Sequence, residues 1–106
     1  MGLNERVRKF VDELKSIGVT VLGKVEPYRT DFYGVISTFK FVETKDIIQA
    51  RDSAENVISF IKQRRDDIDM ILIGSHQYWL EYSVWVLVFL KNGTKLAFQI
   101  EDFKVG

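Results

Sequence analysis

Seven apolar residues stand in an unbroken row from Val84 to Leu90 (Val-Trp-Val-Leu-Val-Phe-Leu). Four of the seven are Val or Phe, side chains that favour a pleated strand. Successive side chains on a strand point to opposite faces, so a strand built from this row presents apolar groups both ways and needs cover on both. Directly after it, Lys91-Asn92-Gly93-Thr94 predicts a type I′ hairpin turn, with Asn-Gly at the centre. Lys95 to Glu101 then alternates, Leu96, Phe98 and Ile100 against Lys95, Ala97, Gln99 and Glu101. The C-terminal third therefore predicts a hairpin inside a sheet.

Two stretches supply helices to pack on that sheet. Asn4 is a candidate N-cap, followed by Val7, Phe10, Val11 and Leu14 at the spacing of one buried helical face, with Gly18 as the C-terminal stop. Asp46 to Arg65 predicts the second helical region, on a stripe of Ala50, Ala54, Val57, Ile58 and Ile61. Asp52 and Glu55 resemble a capping box, at which the helix can restart after an irregular turn. Strands are predicted at Val19 to Val25, at Phe32 to Ile36, at Phe39 to Glu43 beyond a bend near Ser37-Thr38, and at Asp69 to Gly74. Ser75 to Gln77 is predicted as a loop before a strand over Tyr78 to Leu90. The order α-β-β-β-α-β-β-β over one domain, 1–106, predicts an α/β fold: a mixed sheet with two principal helices.

Composition removes several chemistries. The absence of Cys excludes disulfides, thiolate catalysis and Cys-based zinc sites, and His76 is the only histidine. Any metal would be a hard cation held by oxygen. Fifteen basic and fifteen acidic residues cancel, which argues against a high-affinity nonspecific nucleic-acid binder. The charge is unevenly spread: residues 1–65 carry 12 basic and 9 acidic side chains, and residues 66–106 carry 3 and 6. No apolar run approaches the roughly 17–25 residues that cross a bilayer, and Met-Gly-Leu-Asn-Glu-Arg has no apolar signal region. A cytoplasmic location is expected.

The stretch Arg29 to Lys45 carries the candidate chemistry. Asp31 stands before one predicted strand, and Glu43-Thr44-Lys45 close the next. Residues i and i+2 of a strand share a face, so Glu43 and Lys45 point together, and Asp31 could join them across a ladder. Two carboxylates can hold Mg²⁺ or Mn²⁺, which lowers the pKa of a bound water and stabilises charge on a phosphorane. The Thr44 carbonyl could add a ligand, while the Lys45 amine orients the water or screens the transition state. Arg29, Gln49 and Glu13 are candidate substrate contacts.

An acid, about a dozen residues ending in an apolar strand, and then Glu-x-Lys resembles the PD-(D/E)xK nuclease superfamily. In layout the chain looks most like archaeal Holliday-junction resolvases and related small endonucleases. Glu5 to Val25, Asp31 to Lys45 and Arg51 to Ile73 follow that element order, and agreement at the level of residues is confined to Asp31, Glu43 and Lys45. The resemblance implies a restriction-endonuclease-like sheet, a Mg²⁺-dependent nuclease acting on DNA, branched DNA included, and a homodimer. Many members carry a further metal-binding acid on the first helix. Here Glu5 projects about 170° from the apolar face and Glu13 about 110°.

Other residues admit a plainer reading beside a functional one. His76 can carry a proton or simply sit in a loop. Trp79, Tyr82 and Trp85 can stack on bases or fill a core or dimer surface. The two-faced strand Val84 to Leu90 suggests a second function class: a non-enzymatic dimeric interaction module that binds protein or nucleic acid through its sheet, a catalytically inactive nuclease fold included.

Overall fold

The computed structural model describes residues 1–39 and 47–106. Helix α1 spans Leu3–Ser16 and α2 spans Ala54–Gln63; the strands are β1 Val21–Gly23, β2 Val35–Ser37, β3 Ile47–Asp52, β4 Ile68–Tyr78, β5 Glu81–Leu90 and β6 Lys95–Ile100. The sheet runs β1-β4-β5-β6-β3, with β2 also paired to β4. β4, β5 and β6 form an antiparallel meander, while β1 lies parallel to β4 and β3 parallel to β6. β1 and β2 share one edge of β4: β1 takes Ile71 to Ile73, and β2 runs antiparallel along His76 to Tyr78. The fold is thus α/β with a mixed sheet and two helices.

Both helices cover the same face. Val7, Phe10 and Leu14 of α1 and Val57, Ile58 and Ile61 of α2 are buried in one cluster with Ile71, Ile73, Val84, Val86, Val88, Phe98 and Ile100. These strand residues alternate along β4, β5 and β6, as one face of a pleated sheet must. Each fully buried Leu or Ile contributes roughly 1.5–3 kcal/mol, so this single layer of contact supplies most of the apolar stabilisation. Phe103, on a short 3-10 turn after β6, closes the end of the cluster edge-on to Phe10 at 5.4 Å.

Among the described residues no helix lies on the opposite face. Registers place Met70, Leu72, Gly74, His76 and Tyr78 of β4 there, beside Phe89, Leu87, Trp85, Ser83 and Glu81 of β5. The expectation that Val84 to Leu90 is apolar on both faces holds, and among the described residues helices cover one of them.

Several local expectations are corrected. Asn4 lies inside α1, whose N-cap is Gly2; its side chain instead accepts from Tyr28 N–H at 2.7 Å and donates to Tyr28 C=O at 3.0 Å. The helical region predicted from Asp46 divides: Ile47–Asp52 is an edge strand, and α2 starts at Ala54. Ser53, one residue later than expected, caps it by accepting from Asn56 N–H at 3.1 Å. Ala50 shares the helical period with Ala54 only by coincidence, and it is exposed on β3. Ser75 to Gln77 is no loop but the continuation of β4, and the chain reverses at Trp79-Leu80. The Lys91 to Gly93 turn is not type I′, because Asn92 has negative φ. Gly93 alone is at φ 90°, with its N–H donating to Leu90 C=O, as in a type I turn closed by a glycine bulge.

Candidate functional site

Of the expected site residues, Asp31, Arg29, Gln49 and Glu13 can be placed. Glu43, Thr44 and Lys45 lie outside the described residues. Arg29 and Asp31 sit in the segment between β1 and β2, joined by an ion pair of 3.6 Å; the Asp31 side chain is 78% exposed. The Arg29 guanidinium also lies over the Phe32 ring, 5.5 Å from its centroid. Gln49 belongs to β3, the strand farthest from β2. The sequence β2-β4-β5-β6-β3 puts four strand spacings, roughly 19 Å, between them. Glu13 lines a cleft between α1 and α2 with Arg6, Lys9 and Lys62. The structure therefore brings Arg29 and Asp31 together and leaves Gln49 and Glu13 apart from them. Among the described residues no three acidic or histidine side chains gather to hold a metal ion.

The segment bearing Arg29 and Asp31 is fastened to the sheet by buried polar side chains. Ser75 and Gln77 are 1% and 3% exposed and point to the helix side of β4. Glu26 N–H donates to Ser75 Oγ at 2.8 Å, and the Tyr82 hydroxyl donates to Glu26 C=O at 2.6 Å. Gln77 Oε1 accepts from Arg29 N–H, while its amide nitrogen donates to the carbonyls of Arg29 and Trp79, both at 2.7 Å. Each bond satisfies a group whose burial alone would cost about 1–3 kcal/mol. Burial pushes the Tyr82 hydroxyl pKa up to about 12.

The Gln77 clamp ends at an exposed aromatic cluster. Trp79 has φ 55°, the one non-glycine residue with positive φ among those described. For a bulky side chain this conformation costs about 1–2 kcal/mol. Its N–H donates to Gly34 C=O at 2.8 Å and its carbonyl is held by Gln77. Tyr33 packs edge-on to the Trp79 ring at 5.7 Å, and Tyr78 at 6.5 Å. Tyr33 is 68% exposed, Val35 58%, Tyr78 and Trp79 50% each, and Leu80 42%. Among the described residues, five of the eight exposed large apolar side chains thus lie at one corner. Trp79 was visible in the sequence as an aromatic, but nothing there marked a turn at that point.

Among the described residues no helix is long and apolar enough to cross a membrane. No protein-family model, curated protein or solved structure matches the chain.

Proposed function

We propose that the protein is a non-enzymatic interaction module that pairs with a second copy of itself through the aromatic corner at Tyr33, Tyr78 and Trp79. The observation that carries this reading is Trp79, held at positive φ by a buried glutamine while its ring stays half in solvent. Backbone strain kept in place by surrounding hydrogen bonds concentrates where a chain presents something. Trp, Tyr and Arg dominate the energetic centres of protein interfaces, and Arg29 borders this cluster. Zero net charge removes the long-range repulsion that keeps like copies apart. An isologous contact places the same corner of both chains together.

Sedimentation equilibrium across a wide concentration range tests this. A dimer that Trp79→Ala and Tyr33→Ala each weaken is expected. A monomer at every concentration would overturn the reading.

The nuclease reading, with its restriction-endonuclease-like sheet, is the second. It rests on Asp31, Glu43 and Lys45 in the expected order, with the Asp31 carboxylate exposed to solvent beside its Arg29 partner. Mg²⁺- or Mn²⁺-dependent cleavage of branched or linear DNA, lost in both Glu43→Ala and Lys45→Ala, would establish it in place of the first. Cleavage that survives both substitutions, or no cleavage at all, removes it.

A further inference from the structure

The Asn92-Gly93 pair at the β5–β6 turn serves neither the core, the aromatic corner nor the Arg29–Asp31 pair. Lys91, Asn92 and Gly93 are all exposed, and nothing stands within 4 Å of the point where a Cβ on Gly93 would lie. Asn92 Oδ1 accepts from Thr94 N–H at 2.9 Å, which folds the side-chain amide back over the backbone of the turn. Gly93 N–H donates to Leu90 C=O at 3.0 Å, and Leu90 N–H donates to Thr94 C=O at 2.9 Å. A backbone nitrogen without side-chain cover therefore follows a side-chain amide whose oxygen already has a donor.

We infer that Asn92 is a site of spontaneous covalent modification, deamidating in the folded protein through the backbone nitrogen of Gly93. That nitrogen gives its proton to hydroxide and attacks Asn92 Cγ. The new N–Cγ bond closes a succinimide ring, the Cγ–Nδ2 bond breaks, and Nδ2 leaves as ammonia with a proton from water. Water then opens the imide. Cleavage of the N–Cγ bond yields aspartate, whereas cleavage at the backbone carbonyl yields isoaspartate, with the main chain rerouted through the side chain. One water enters, one ammonia leaves, and nothing is oxidised or reduced.

Three features favour this position. Gly93 has no Cβ to obstruct ring closure, and its backbone turns freely into the geometry of attack. Thr94 N–H is bonded to the oxygen on which negative charge develops as Cγ becomes tetrahedral, the part played by an oxyanion donor. The Gly93 hydrogen bond that must break lies at an exposed hairpin tip, where backbone bonds open at little cost. The other two asparagines are placed differently. Asn4 lies within α1, with both ends of its amide bonded to Tyr28. Asn56 lies within α2 and precedes the β-branched Val57, whose N–H is bonded to Ser53 C=O at 3.0 Å.

The two products act differently on the sheet. Aspartate keeps the length of the main chain, and its carboxylate accepts from Thr94 N–H as the amide did. Isoaspartate adds an atom to the main chain inside the loop that Leu90 and Thr94 close, which pulls their hydrogen bond apart. Either product adds a negative charge to a neutral chain, between Lys91 and Lys95.

Incubation of the folded protein at neutral and mildly alkaline pH tests the inference, read by peptide mapping in a mass spectrometer and by labelling with an isoaspartate-specific methyltransferase. Mass gain and label are expected in the peptide that holds Asn92, faster at higher pH, with the Asn4 and Asn56 peptides unchanged. Asn92→Gln abolishes both signals, because the longer side chain cannot close the same ring, and Gly93→Ala slows them by at least about tenfold. The isoaspartate form exchanges its Leu90 and Gly93 amide hydrogens faster than the aspartate form. A folded chain that stays unmodified while the urea-unfolded chain reacts would show that the turn protects Asn92, and would overturn the inference. Equal reaction at Asn4 or Asn56 would overturn it as well.

Discussion

The two hairpin turns that bracket β5 meet the same backbone demand with different residues. Each needs one residue in the left-handed region. At the β5–β6 turn Gly93 takes it at φ 90°, where the absence of Cβ removes the penalty. At the β4–β5 turn Trp79 takes it at φ 55°. The first turn carries Lys91, Asn92 and Gly93 into solvent and packs no large apolar group. The second keeps a strained tryptophan beside two exposed tyrosines and commits a buried glutamine to hold it. Two turns on one strand, under one folding requirement, separate what the chain needs in order to close a hairpin from what it adds. The addition is the aromatic corner, and stability alone does not account for it.

The contrast can be broken most forcefully at Gln77. Gln77→Ala removes the bonds to Arg29 and Trp79 and leaves a buried gap. A loss of about 2–4 kcal/mol is expected in urea unfolding, together with loss of protection of the Trp79 and Arg29 amides in hydrogen exchange. A loss below about 1 kcal/mol would mean the corner is not clamped. Next come the turns themselves. Gly93→Ala is expected to destabilise by about 1 kcal/mol and Trp79→Gly to stabilise by a similar amount, since each changes the residue at positive φ. Opposite signs in thermal melts support the comparison, and equal signs break it. The smallest effect concerns Tyr82, which ties the Arg29 segment down just beyond the Trp79 turn. Its folded pKa, about 12, lies above the ordinary value of 10, so between these values the folded state holds more protons than the unfolded. Stability is therefore full below pH 10 and declines as pH rises toward 12. Tyr82→Phe should flatten that part of the profile relative to the parent chain.

Where the sequence was legible, one periodicity acted alone. Val7, Phe10 and Leu14 repeat at helical spacing with no competing pattern, and all three are buried in α1. The alternation from Leu96 to Ile100 likewise gave β6. Ile47 to Asp52 misled because Ala50 fell in phase with the α2 stripe. The edge strand there has no buried residue of its own to impose a period of two. Ser75 and Gln77 misled for a different reason. Polar residues in a strand suggest a loop unless something buried needs their hydrogen bonds, and that something, the backbone of Glu26 and Arg29, lies some 48 residues earlier in the chain. Long-range polar satisfaction leaves no periodic trace. The candidate site divides in the same way: Asp31 and Arg29 are neighbours in sequence and in space, while Gln49, drawn in by its closeness to Lys45 along the chain, and Glu13, drawn in by the acid that the resemblance implies on the first helix, stand on other elements.

The order of strands has a consequence for how the molecule is assembled. The central three, β4, β5 and β6, are contiguous in the last third of the chain and joined by two tight turns, so their contacts close over short loops. Both flanks, β1 with β2 on one side and β3 on the other, come from the first half and must travel to opposite margins of a platform synthesised after them. β1, β2 and β3 therefore have no sheet to join until residues 68–100 have been made, and pairing at both margins depends on that later platform.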